Sequence, residues 1–331
     1  MTGNVVSASA AAIAEAARLL SQGKLVAFPT ETVYGLGADA TNEEAVRRIF
    51  AVKGRPADHP VIVHIGDASQ LRTWAGAVPS GAALLAQAFW PGPLTLVLPR
   101  ARAVFDVVTG GQDSVGIRVP SHPVARALLS AFGRGIAAPS ANRFGHVSPT
   151  TAAHVAADLD DAPAMIVDGG SCDVGIESTI VGFRGDDAVL LRPGAIGVDE
   201  LTRVLGHSPQ APDTAAPRVS GSRTSHYAPH TPASLLRADA LRAELTQLLE
   251  RDEAVAVLGR TIQRPDDFSG VWIAAPRDPA DYARELYADL RALDAANADT
   301  ILIESPPEDP PWLAVRDRLI RATKGEDDDR D

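Results

Sequence analysis

The sequence is poor in cysteine, lysine and aromatic residues, and each shortage removes a class of explanation. Cys172 is the single cysteine among 331 residues. No intrachain disulfide and no thiolate zinc cluster can form, so a reducing compartment is the expected setting. Aromatic residues make up 5% of the chain, and no basic stretch is interleaved with them as RNA-binding surfaces require. A run of ~18 apolar residues, the length that spans a bilayer, is also missing. The Ala-rich N-terminus lacks a basic leader, and Glu15 and Arg18 interrupt it, so no export signal is expected and the cytoplasm is the expected location. There is neither a GxxxxGK[ST] loop nor a GxSxG elbow; any nucleotide is held by other means, and no serine nucleophile is indicated.

What is present describes a globular protein with many tight turns: 45% apolar and 22% charged residues, 27 Gly and 25 Pro. The length favours two domains. Net charge is −11, with 18 basic and 20 acidic side chains in residues 1–233 and 13 and 22 in residues 234–331. An acidic balance argues against broad binding to a phosphate backbone, while leaving room for a local cationic pocket.

Apolar spacing predicts a helix over 7–22, then a strand in LVAFPT, a helix over 42–53, a strand over 61–65, a helix over 80–90 and a strand over 94–98. Further strands are expected at 115–119, 135–138, 164–168, 178–183 and 188–192, with helices near 123–132, 150–158 and 198–205. Short turns alternate with helical crossovers, which suits a mixed sheet flanked by helices. Between 207 and 233 the pattern collapses into Ser, Pro, Ala, Thr and Arg and reads as a linker. Helices over 239–250, 279–294 and 311–323 and strands over 254–258, 271–274 and 300–304 then make a small α/β unit, and the tail EDDDRD is expected to be solvated. The expected domains are 1–206, a linker or lid over 207–233, and 234–331.

Lys53, one of three lysines, lies in VKGRPADHP, where Arg55 and His59 crowd the same turn. Two cations beside Gly54 can grip a polyphosphate; they equally suit a helix end whose positive side chains answer the helix dipole. Arg118 in VGIRVP and Arg192 in LLRPG each end an apolar strand run just before a proline. Three loops ending in cations suit a ligand with several anionic oxygens better than three unrelated salt bridges. FPTETVYGLG carries two hydroxyls and a carboxylate, a spacing that also fits a helix capping box. SAN and GHVS, within 138–151, present small side chains and amides, and the SPTT after them is an ordinary N-cap. His64, in VIVHI, has the position of a core histidine. Asp168, Asp173 and Glu177 do not fall at metal-ligand spacing, and Cys172 has no basic neighbour to activate it. No metal site and no nucleophile are assigned. Positioning and charge neutralisation at phosphorus is the chemistry indicated.

Read in order, FPTETVYGLG, KGRP, GIRVP, SAN with SPT, ESTIV, LRPG and HYAP resemble the threonylcarbamoyl-AMP synthase family in its long two-domain, Sua-type form. The resemblance implies an N-terminal YrdC-like domain, a twisted mixed sheet with helices around a concave cavity, and a smaller Rossmann-like C-terminal domain. It implies conversion of L-threonine, bicarbonate and ATP into L-threonylcarbamoyl-AMP and pyrophosphate, with Mg²⁺ carried by ATP and no tightly bound organic cofactor. A downstream tRNA-threonylcarbamoyl transferase complex is the implied partner. No stable nucleic-acid binding and no membrane are implied.

Carried across by matching position, Thr32, His64, Arg118, Ala138 and Ser178 would line a threonine pocket. Lys53, Arg55, His59, Ser114, Ser140, Asn142, Ser148, Arg192, Tyr227 and His230 would surround ATP, with Lys53 and Arg55 acting at the reacting phosphate. The chain departs from the family in its SGSRTS lead-in to HYAP and in having His at position 59. The rival readings are a non-catalytic nucleotide or RNA-binding module, and a carbamoyl-adenylate-forming maturation factor, whose Cys-rich zinc modules one cysteine cannot build. Lys53→Ala is expected to impair adenylate formation and leave the fold intact, because a loop lysine has little core to lose.

Overall fold

The structure is a computed structural model that describes residues 4–221 and 226–324. It divides into two compact units, Met1–Phe144 with Pro149–Ser222, and Gly145–Ser148 with Arg223–Asp331. EDDDRD lies outside the described residues.

Among the described residues, ten strands build the first unit: β1 Val5–Ser7, β2 Val26–Phe28, β3 Gly35–Asp39, β4 Ile62–His64, β5 Leu94–Pro99, β6 Ser114–Arg118, β7 Ile136–Ala137, β8 Met165–Asp168, β9 Thr179–Arg184 and β10 Asp187–Arg192. They form one mixed sheet in the order β1-β8-β2-β3-β7-β4-β6-β5-β9-β10. β4 runs parallel to β6 and antiparallel to β7, and β5 runs parallel to β9 and antiparallel to β6.

The sheet is buried on both faces, as alternation along β2 shows. Val26 and Phe28 pack with helices Ala10–Ser21 and Pro123–Phe132, whereas Ala27 joins the larger core with helices Glu43–Lys53, Ser80–Phe89 and Ala152–Leu159. Leu20, Phe28 and Leu128 are fully buried, and each such side chain contributes about 1.5–3 kcal/mol. The first helix starts later than its apolar spacing suggests, because Ser9 caps it by accepting Ala12 N–H at 3.1 Å and Val5–Ser7 pairs with β8 instead. β3 has no expected counterpart: its two glycines mask its strand character.

The second unit is a parallel sheet of β11 Ala233–Leu236, β12 Val255–Gly259, β13 Trp272–Ala274 and β14 Thr300–Glu304, ordered β11-β14-β12-β13. Its helices are Ala238–Glu250, Pro279–Asp294 and Leu313–Ala322. Parallel strands joined through helices give the Rossmann-like arrangement expected. The described residues between 207 and 232 hold only isolated bridges, Gln210 to Val189 and Ala228 to His146.

Candidate active site

The β2–β3 connection begins with a hydroxyl turn. Thr30 Oγ1 accepts the N–H groups of Thr32 and Val33, both at 3.2 Å, and donates to Val33 O at 2.7 Å. No helix follows, so FPTETVYGLG is not a capping box. Thr32 Oγ1 accepts from Arg118 Nη1 at 2.8 Å, and the Glu31 carboxylate lies 2.8 Å from Arg118 Nη2. Arg118 Nε donates to Gly92 O at 3.3 Å. His64 is the register partner of Arg118 across the β4–β6 pair. Thr32, Glu31, His64 and Arg118 are all buried.

Burial together with the charge of Arg118 pushes His64 down to about 3, so its imidazole is neutral near pH 7. For Glu31, burial works against ionisation, but Arg118 and the Ser121 N–H outweigh it and hold the carboxyl below its ordinary range. Ala138, just past β7, donates its N–H to Ile62 O at 2.9 Å beside the same group.

A second cluster forms at the end of helix Glu43–Lys53. Asn42 caps its start, and Gly54 ends it in the left-handed conformation with φ 64°. The helix-end reading of this turn therefore holds for the backbone. Lys53 is nonetheless buried, and its Nζ reaches across to Ser140 O at 2.7 Å, Asn142 O at 2.5 Å and Asn142 Oδ1 at 3.4 Å. Burial, with the nearby charge of Arg55, pushes Lys53 well below the usual lysine range. The loop it grips returns to the helix end, where Phe144 N–H donates to Lys53 O at 2.9 Å. Arg55 stands over the Phe144 ring at 5.7 Å, and His59 meets that ring edge-on at 5.3 Å.

Arg192 closes β10 and organises a third cluster. Its Nε and Nη2 donate to Ser178 O at 3.1 and 2.9 Å, and Nη2 also reaches Ser178 Oγ at 3.1 Å. Ser178 Oγ is 2.8 Å from Thr95 Oγ1. Gly194 is what lets the LRPG turn come this close, since a Cβ there would lie 2.3 Å from Thr179 N. Ser220 ties the clusters together: its carbonyl accepts from Arg192 Nη1 at 2.7 Å and its hydroxyl from Arg55 Nη2 at 3.4 Å. Ser114, at the start of β6, lines a small cavity of about 20 Å³ with Thr95, Gln112 and Ser220. The Gly92–Pro93 loop joins the arginine clusters, because Gly92 O takes Arg118 while Pro93 O takes Thr179 N–H at 3.0 Å.

The first unit thus brings Thr32, His64, Arg118 and Ala138 together, Lys53 with Ser140 and Asn142, and Arg55 with Arg192 and Ser178 through Ser220. Ser148, Tyr227 and His230 belong to the second unit. There, Ala228 N–H donates to Gly145 O at 2.9 Å, Tyr227 stacks on Tyr287 at 5.6 Å, and His230 Nδ1 is 3.0 Å from Asp294 Oδ2. Glu31 and Ser220 were not among the expected site residues. Glu31 carried a signal in its hydroxyl-rich neighbourhood; Ser220, inside the linker composition, carried none. Cys172 is buried, which pushes its thiol up and away from reactivity. Among the described residues no three His, Cys, Asp or Glu side chains group as metal ligands.

A family profile described as Telomere recombination matches residues 18–194, and one described as Threonylcarbamoyl-AMP synthase, C-terminal domain, matches residues 196–323. The threonylcarbamoyl-AMP synthase of Pyrococcus abyssi is 41% identical over 321 residues, 93% of each chain. The chain belongs to the threonylcarbamoyl-AMP synthase family. Its Bacillus subtilis relative of the same name is 42% identical over 95% of this chain and 93% of its own. The crystal structure of P. abyssi Sua5 complexed with L-threonine superposes with a TM-score of 0.88 at 39% identity, covering 97% of both chains. That likeness extends through both units of the family fold. No helix among the described residues is long and apolar enough to cross a membrane.

Proposed function

We propose that this chain makes L-threonylcarbamoyl-AMP and pyrophosphate from L-threonine, bicarbonate and ATP. The observation that carries the reading is the convergence within the first unit of a buried guanidinium beside a hydroxyl, Arg118 with Thr32, and a cation pair, Arg55 and Arg192, meeting at Ser220. Its likeness to a threonine-bound relative gives the amino-acid side a substrate.

In this reading Arg118 receives the threonine carboxylate, with Thr32, neutral His64, Ala138 and Ser178 around the rest of the molecule. The substrate ammonium gives up a proton to solvent, and the neutral amine then condenses with bicarbonate to a carbamate, releasing water. A carbamate oxygen then attacks the α-phosphorus in line and pyrophosphate leaves. No side-chain nucleophile is needed. Arg55 and Arg192 neutralise charge growing on the phosphates, where electrostatic preorganisation acts most strongly. Lys53 acts at the same site by fixing the loop of Ser140 and Asn142 against which the nucleotide lies, with His59 and Ser114 beside it. Mg²⁺ belongs to the ATP, held by its phosphates. Ser148, Tyr227 and His230 remain nucleotide candidates on the motif resemblance, and the chemistry proposed draws on the first unit alone.

The product is a mixed anhydride, so water exclusion matters and a transferase complex acting on tRNA adenosine is its fitting consumer. A cytoplasmic enzyme suits that route and the lone buried thiol. The test is pyrophosphate release from the purified chain with each substrate omitted in turn. Release that requires both L-threonine and bicarbonate is expected; ATP binding without such release would leave only a nucleotide-binding module.

A further inference from the structure

The reading above leaves Glu31 without a task, although it is a buried charge in direct contact with Arg118. Its carboxylate is braced from one side: Oε2 accepts Ser121 N–H at 3.1 Å. The guanidinium is braced likewise, by Thr32 Oγ1 at 2.8 Å and Gly92 O at 3.3 Å. Between them, Glu31 Oε1 and Arg118 Nη2 stand 2.8 Å apart, yet neither atom has an aligned hydrogen-bond partner among the described residues. The two opposite charges are thus each other's ion-pair partner, at hydrogen-bond distance but out of hydrogen-bond alignment.

A buried pair so placed gains when a ligand offers each charge a better-directed partner. An α-amino acid is complementary to such a pair, because its carboxylate and its ammonium sit on one carbon. A substrate with the carboxylate alone would answer Arg118 and leave Glu31 unmet. We infer that Glu31 recognises the free α-amino group of the amino-acid substrate, its Oε1 accepting an N–H from that nitrogen while Arg118 takes the carboxylate. The inference deepens the proposed synthase function and rests on it for the identity of the amino acid. It makes Glu31 a specificity residue that selects α-amino acids over carboxylic acids without an α-amino group. It also places the nitrogen that must receive the carboxyl group at a fixed point beside Thr32.

The experiment is calorimetric titration of the full-length protein, without ATP, using L-threonine and 3-hydroxybutanoate, in which a hydrogen replaces the amine. The wild type should prefer threonine by about 10-fold or more. Glu31→Gln should weaken threonine about 10- to 100-fold, the range for a charge-assisted hydrogen bond, and leave the deaminated acid within about threefold. Glu31→Asp, which keeps the charge, should retain part of the preference. Equal weakening of both ligands by Glu31→Gln would mean that Glu31 only positions Arg118, and the inference falls. Should Glu31→Gln not fold by circular dichroism, the wild-type comparison decides, since equal binding of the two ligands overturns the inference. A wild type that releases pyrophosphate but does not discriminate refutes the role of Glu31 alone. Selective threonine binding that depends on Glu31 but is never followed by pyrophosphate release supports that role and refutes the synthase.

Discussion

Replacing Lys53 with Met separates two roles that the same lysine could have, phosphate contact and loop clamp. Met has nearly the volume of the lysine stem and no donors. The substitution strands Ser140 O and Asn142 O, which Lys53 Nζ holds at 2.7 and 2.5 Å. Each buried carbonyl left unmet costs about 1–3 kcal/mol. Against this, Met has no charge to desolvate, and burial already pushes Lys53 well below the usual lysine range. The net loss should be about 2–4 kcal/mol. At roughly 2–4 °C per kcal/mol for a unit of this size, melting should fall by about 5–15 °C. The fold is therefore not expected to be indifferent to position 53, contrary to the expectation for a loop lysine. In steady-state assays KM for ATP should rise about tenfold or more, while threonine affinity measured by calorimetry stays within about threefold, because Arg118 and Thr32 do not touch this loop. Unchanged melting with lost turnover would refute the clamp and leave direct phosphate contact as the role of Lys53.

Gly194→Ala would drive a Cβ to 2.3 Å from Thr179 N and 2.6 Å from Ser178 C. It should displace Ser178 and Arg192, lowering kcat/KM by about 100-fold or more; near-wild-type kinetics would show that the LRPG turn can give way. Arg192→Lys keeps the charge but cannot fork between Ser178 O and Ser220 O. It should raise KM for ATP about tenfold, and an unchanged KM would remove the fork from the site. His64 protonates near 6.5 when unfolded but only at about 3 when folded, so the unfolded chain binds the extra proton between those values. Stability should therefore fall as pH drops below about 6.5, approaching 1.4 kcal/mol per pH unit. Urea denaturation of His64→Gln should show a shallower slope between about pH 6 and pH 5, above the range where Glu31 protonates; an equal slope would refute the assignment.

The expectations for helices worked because side-chain caps and apolar spacing act locally. Asn42 with Gly54, and Asp278 opening Pro279–Asp294, mark boundaries that tertiary packing did not move. The expectations for strands worked where apolar runs are buried on both faces, as in β5 and β14, and failed at β1, β3 and β11. Those strands exist because a distant partner pairs with them: Val5 with Ile166, Gly37 with Val26, Ala233 with Ile301. A pairing of that kind leaves little trace in the strand's own residues.

The site divides in the same way. Which cations converge was legible, because Arg118 and Arg192 end strands and Lys53 ends a helix, all positions that local pattern reveals. What each cation holds was not legible, because the acceptors are mainly backbone oxygens, Gly92 O, Ser140 O, Asn142 O, Ser178 O and Ser220 O, and a carbonyl has no letter in a sequence. Glu31 is the instructive exception. Its neighbours Thr30 and Thr32 invited a capping-box reading, and what overturned that reading was a strand, β3, in place of the helix a cap would serve. Once no helix follows, a buried carboxylate at that turn must answer some other positive group. Arg118 is the one it meets, and an arginine already balanced by a carboxylate is suited to a zwitterion rather than to a lone anion. The amino-acid half of the site is therefore electrically different from the phosphate half, where Arg55 and Arg192 meet at the hydroxyl and carbonyl of Ser220 and no carboxylate stands beside them in the contacts that define the cluster.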